Sequence, residues 1–71
     1  MIIYTDHAQE RMEMRRIKKG WVEEAITNPD RVIDVKYGRK QAVKRIKGEE
    51  ISVVYVEKSG HFVVITVFWG K

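Results

Sequence analysis

The chain has 71 residues, no cysteine, fourteen Lys and Arg against ten Asp and Glu, and a formal charge of +4. A chain this short forms one domain, residues 1–71, and buries only about 60% of the surface its unfolded form exposes. It has no disulfide staple and no thiolate metal site. The isoelectric point near 9.6 favours polyanionic partners, although both signs of charge are abundant.

In chain order, MIIY (1–4) is apolar and partly β-branched and reads as a short first strand. It is not a basic segment followed by a long apolar one, and no apolar run is long enough to span a bilayer. The expectation is therefore a soluble, cytoplasmic protein with no membrane partner. Thr5 or Asp6 can cap a helix over about residues 6–15, and Asp6 with Gln9 three residues on resembles a capping box. Trp21, Val22, Ala25 and Ile26 recur at helical spacing in WVEEAI, with Glu23 and Glu24 toward water. Asn28-Pro29-Asp30 ends that helix, because the residue before a proline is driven out of the helical region.

After Asp30 the apolar period drops to two. RVIDV (31–35), KQAVKRI (40–46), EISVVYVEK (50–58) and HFVVITVFW (61–69) alternate as strands, with turn-like YGR, KGE and SG between them. The expected fold is α+β: a short N-terminal strand, then two helices packed on a three- to four-stranded antiparallel sheet, in the order β-α-α-β-β-β-β. The last two strands are apolar on both faces, so one of them is central.

The candidate chemistry begins with HAQERMEMRR (7–16). On a wheel at ~100° per residue, Arg11 and Arg15 fall about 40° and about 80° from His7, while Ala8 and Met12 fall about 100° and about 140° away. The basic row thus borders the apolar stripe, which packs the Arg15 stem and aims its guanidinium at the sheet edge. Arg11 and Arg15 read either as ion pairs that settle the helix or as an anion site. His7, near a helix start, reads either as a neutral general base beside Arg11 or as a packed histidine. His61 beside a turn reads as incidental, and two isolated histidines make no metal site.

GRKQAVKRIKG places Arg39, Lys40, Lys44, Arg45 and Lys47 on one hairpin. Strand alternation puts Gln41, Val43 and Arg45 on one face and Lys40, Ala42, Lys44 and Ile46 on the other. These charges read as edge protection or as phosphate contacts, with Tyr55 and Trp69 as stacking surfaces for bases. No Gly-rich phosphate loop, nucleophile elbow or paired carboxylates appear, and no cofactor is expected. The chemistry that needs fewest groups is metal-independent RNA cleavage, in which the 2′-hydroxyl supplies the nucleophile.

His7-Ala8, Arg11-Met12, Arg15, Ile17, Val22, Ala25-Ile26, Asn28-Pro29-Asp30, Gly38-Arg39 and the closing TVFW together resemble the family called domain of unknown function 4258, over residues 5–69. That family is distantly similar to the RelE/ParE toxins of toxin–antitoxin systems, which include ribosome-dependent mRNA endonucleases and gyrase inhibitors. The resemblance implies a RelE-like fold and a toxin acting on RNA by cleavage or by binding. Its catalytic residues would be His7, Arg11 and Tyr55, and its nucleic-acid contacts Arg15, Arg39, Lys44, Arg45 and Trp69. The partners so implied are RNA or the ribosome and a cognate antitoxin protein; a second copy of the chain is the partner that the small core by itself suggests. The alternatives are a non-catalytic protein- or nucleic-acid-binding module and a gyrase-type inhibitor.

Overall fold

The computed structural model describes residues 1–70. Strand β1 (Ile2–Tyr4) leads into helices α1 (Asp6–Arg15) and α2 (Lys19–Thr27), followed by β2 (Arg31–Asp34), a 3-10 turn (Lys36–Gly38), β3 (Lys40–Ile46), β4 (Glu49–Lys58) and β5 (His61–Trp69). The sheet runs β1-β5-β4-β3-β2. Strands β2 to β5 form the expected antiparallel meander, with β4 at its centre.

The sheet nonetheless has five strands and is mixed, not three- to four-stranded and antiparallel. β1 lies parallel to β5, with Ile2 opposite Phe62 and Tyr4 opposite Val64. That pairing joins the two ends of the sequence, and a local apolar pattern carries no information about so distant a partner.

Both helices pack on one face of the sheet. Ala8, Met12, Ile17, Val22, Ala25 and Ile26 meet Ala42, Ile51, Val53, Tyr55, Val64 and Val67 in a single core. The α1 cap is Thr5, not Asp6. Its hydroxyl accepts from the Ala8 N–H at 3.0 Å and donates to the Val64 carbonyl at 3.0 Å, which ties the helix start to β5. Gln9 does not complete a box with Asp6; its side-chain amide donates to the Tyr4 carbonyl.

At the other end of α1, Arg16 N–H donates to Glu13 and Ile17 N–H to Met12, with Arg16 left-handed at φ 54°. This is a Schellman ending, clasped by the buried Met12 and Ile17. The β3–β4 and β4–β5 hairpins each turn through two residues at positive φ, Lys47-Gly48 and Ser59-Gly60. A bulge at Val54/Tyr55 leaves Ile65 as the extra residue of β5.

Candidate nucleic-acid interface

The basic row of α1 divides. Arg11 Nε donates to His7 Nε2 at 3.4 Å on the exposed side of the helix. Arg15 instead reaches the sheet, where its guanidinium donates to the Val67 carbonyl at 2.7 Å.

The register explains that contact. Gly70 N–H donates to the Glu50 carbonyl, so 50/70, 52/68 and 54/66 are the hydrogen-bonded pairs of the β4–β5 ladder. Val67, between such pairs, turns its carbonyl toward the outer edge of β5. β1 covers that edge only as far as Val64. Arg15 therefore closes an open strand edge, and the indole N–H of Trp69 returns a bond to the Arg15 carbonyl at 2.8 Å. Among the described residues no carboxylate lies within 4.0 Å of this guanidinium, and its acceptor is the main-chain carbonyl of Val67.

The other candidates do not meet at one place. Tyr55 is 5% exposed and lies edge-on to Phe62 at 5.5 Å in the helix-covered core, where burial first and Glu57 second push its hydroxyl above the usual range. It is a core residue and not a stacking platform. Lys44 lies 3.6 Å from Asp30 and 4.0 Å from Glu24, and its charge is spent on seating α2. Arg45 donates from its guanidinium to the Gly48 carbonyl and from its backbone to Asp30. Arg39 sits over the exposed Tyr37 ring at 5.9 Å. Trp69 packs edge-on against Trp21, with ring centroids 5.9 Å apart.

A second basic cluster, not anticipated in the sequence, surrounds Trp21. Lys18 from the joint between the helices and Lys47 from the β3–β4 turn lie 5.4 Å and 5.7 Å from its ring centroid. Lys19 lies 5.0 Å from the Tyr4 ring. Among the described residues, no carboxylate approaches Arg16, Lys18, Lys19 or Lys47 within 4.0 Å.

Each of these cations also sits against local preference. Arg16, at φ 54°, holds the left-handed position that glycine takes at about 1 kcal/mol less cost. Lys47, at φ 51°, holds a turn position favoured by Asn or Gly. Lys18 is the N-cap of α2 without a side-chain bond, and no acid occupies the first turn, although a cation near a helix start is unfavourable by about 0.3–1 kcal/mol. RRIKKGW (15–21) was the available signal: four cations, then a tryptophan.

Fold and surface define a small two-layer α+β protein with a cationic, aromatic end. Residues 4–69 match the family model described as Domain of unknown function (DUF4258), and the chain belongs to that family. No curated protein and no solved structure matches it. Among the described residues, no helix is long and apolar enough to cross a membrane.

Proposed function

We propose that this protein binds RNA through the basic end around Trp21 and holds its target without cutting it. The observation that supports the reading is the gathering, on one tryptophan, of cations from two separate elements at positions that local energetics disfavour. Departures of this kind concentrate where a surface has a task beyond folding. Lys18, Lys47, Arg16 and Lys19 would take phosphates, and Trp21 would offer its ring to a base.

Binding is preferred to cleavage because the three proton-handling candidates do not share a site. His7 and Arg11 face solvent from α1, whereas Tyr55 is buried beneath the helices. Under this reading the chain would act by occupying RNA, with an antitoxin as the partner that displaces it, as the sequence resemblance to the RNA-directed members of the RelE/ParE group would imply.

Anisotropy of a labelled single-stranded RNA, titrated with the full chain at stepped salt, tests the proposal. Expected are saturable binding that weakens steeply with salt, quenching of tryptophan emission, and RNA recovered intact. Absence of binding at low salt contradicts RNA recognition, and fragments that disappear in Arg11→Ala contradict binding without cleavage.

A further inference from the structure

Strand β2 is the last of the sheet, and one of its edges meets no other strand. Val35 N–H donates to the Arg39 carbonyl at 3.0 Å, and bonded pairs recur at every second residue of an antiparallel ladder, so Ile33/Gln41 and Arg31/Val43 are also bonded pairs. The Val43 carbonyl, turned toward β2, accepts from Asp30 N–H at 2.9 Å. Val32 and Asp34 fall out of phase with this series and turn both N–H and C=O to the open edge. We propose that β2 of a second copy of this chain pairs antiparallel along this edge, with the twofold axis at Ile33. The proposal does not rest on RNA binding.

The edge is unguarded. Exposed edges ordinarily carry a lysine or a proline against unwanted pairing, and neither stands between Arg31 and Val35. All of β2 is exposed, with Val32 at 44% and Ile33 at 38% on opposite faces. The charges within the strand are satisfied by the chain itself: Arg31 lies 3.3 Å from Glu50, and Lys40 lies 2.8 Å from Asp34. What β2 offers a partner is main-chain bonding groups and aliphatic side chains.

Register and charge select a second copy as the occupant. Outward-facing groups must meet outward-facing groups, so the axis stands at a residue of β2 and not between residues. An axis at Arg31 sets the two arginines face to face, one at Val32 sets Asp30 against Asp34, and one at Asp34 sets the two aspartates together. Like charges directly opposed are destabilising. With the axis at Ile33 the facing side chains are compatible: Ile33 meets Ile33, Arg31 meets Val35 of the other copy, and Val32 exchanges main-chain bonds with Asp34 on each side of the axis.

That register also brings Lys36 opposite Asp30 of the other copy at both ends of the pairing. Among the described residues no carboxylate lies within 4.0 Å of Lys36. Asp30, although 3.6 Å from Lys44, keeps 46% of its side chain exposed. Each end of the pairing therefore joins an unpaired cation to an accessible carboxylate. A strand this short makes an interface below the ~1,200 Å² of stable complexes, so the dimer is a weak one, formed between micromolar and millimolar concentration.

Amide hydrogen exchange on the full chain across that concentration range tests the proposal, at about 0.15 M salt, where net charge is screened beyond ~8 Å. The Val32 and Asp34 amides should slow by at least about tenfold, approaching Ile33 and Val35, which are bonded to β3 at every concentration. Sedimentation velocity should show a species of twice the 8.4 kDa chain mass growing in step. Val32→Pro removes an outward N–H and no bond to β3, and Ile33→Lys sets two cations at the axis; each, checked for folding by circular dichroism, should weaken self-association by at least about tenfold. Lys18→Ala should leave it unchanged. Should both β2 variants unfold, Lys36→Asp, which opposes Asp30 across the axis, replaces them and should weaken association severalfold. A chain that stays monomeric at millimolar concentration, a dimer that persists unchanged in the folded variants, or concentration-dependent protection that omits Val32 and Asp34 would overturn the proposal.

Discussion

Two basic surfaces of this chain are held in opposite ways. On the exposed side of α1, His7 and Arg11 sit at ordinary helical positions, one turn apart and bonded to each other. At the helix joint and the β3–β4 turn, Arg16 and Lys47 hold left-handed backbone, Lys18 and Lys19 stand at a helix start where acids are usual, and Lys18 and Lys47 meet over Trp21. The first arrangement costs the fold almost nothing, so its presence needs no function to explain it. The second costs stability at several places at once, and such a cost points to a task outside folding.

The largest expected effect separates binding from stability. Arg15 borders both surfaces, yet its guanidinium serves the β5 edge. Arg15→Ala should lower unfolding stability by about 1.5 kcal/mol, the scale of a charged hydrogen bond lost. A fall in the urea midpoint with unchanged slope would show it. Should stability hold while RNA affinity collapses, Arg15 belongs to the interface and not to the edge.

Next in size is Arg16→Gly, which relieves the left-handed position. It should raise stability by about 1 kcal/mol while weakening RNA binding severalfold. Chemical unfolding and anisotropy on the same sample would reveal this opposite movement. Gains in both properties would break the contrast between the two surfaces.

Arg11→Ala should change stability by less than about 0.5 kcal/mol, since its partner is an exposed side chain on the same helix. Thermal unfolding at matched pH measures it.

The smallest effect concerns the cations that are paired. Asp30 is held below the ordinary carboxylate range by the Arg45 backbone N–H first and by Lys44, and Asp34 by its hydrogen bond with Lys40. Protonating either group favours the unfolded chain. The contribution is whole above the ordinary carboxylate range and is lost as pH falls through the lowered folded values. Urea midpoints across acid pH should therefore decline less in Asp30→Asn than in the wild type.

Much of the architecture was legible in the sequence because it is written locally. The period of two after Asp30, the Asn28-Pro29 stop and the Gly48 and Gly60 turns each express a short-range backbone constraint. The β1–β5 pairing was not legible, because it depends on where the meander ends. Of the candidate site, the wheel correctly drew Arg15 toward the sheet edge, but it could not choose between a carboxylate and a carbonyl as acceptor. Tyr55 and Trp69 were read as stacking surfaces because alternation reveals a face and not which face the helices cover. The Trp21 cluster escaped notice because Lys47 joins it from another element, and RRIKKGW by itself reads as an ordinary basic joint.

The most direct test removes equal charge from two places. Lys18→Ala/Lys47→Ala and Arg11→Ala/Arg39→Ala each lower the net charge by the same amount, so any difference in RNA affinity reports position. The account predicts that the lysine pair loses at least about tenfold in affinity, about 1.4 kcal/mol, and that its salt slope falls by about 1.4 for two lost phosphate contacts. The arginine pair should bind within about twofold of the wild type. Equal losses in the two double variants would mean that the RNA senses only overall charge, and would contradict an interface centred on Trp21.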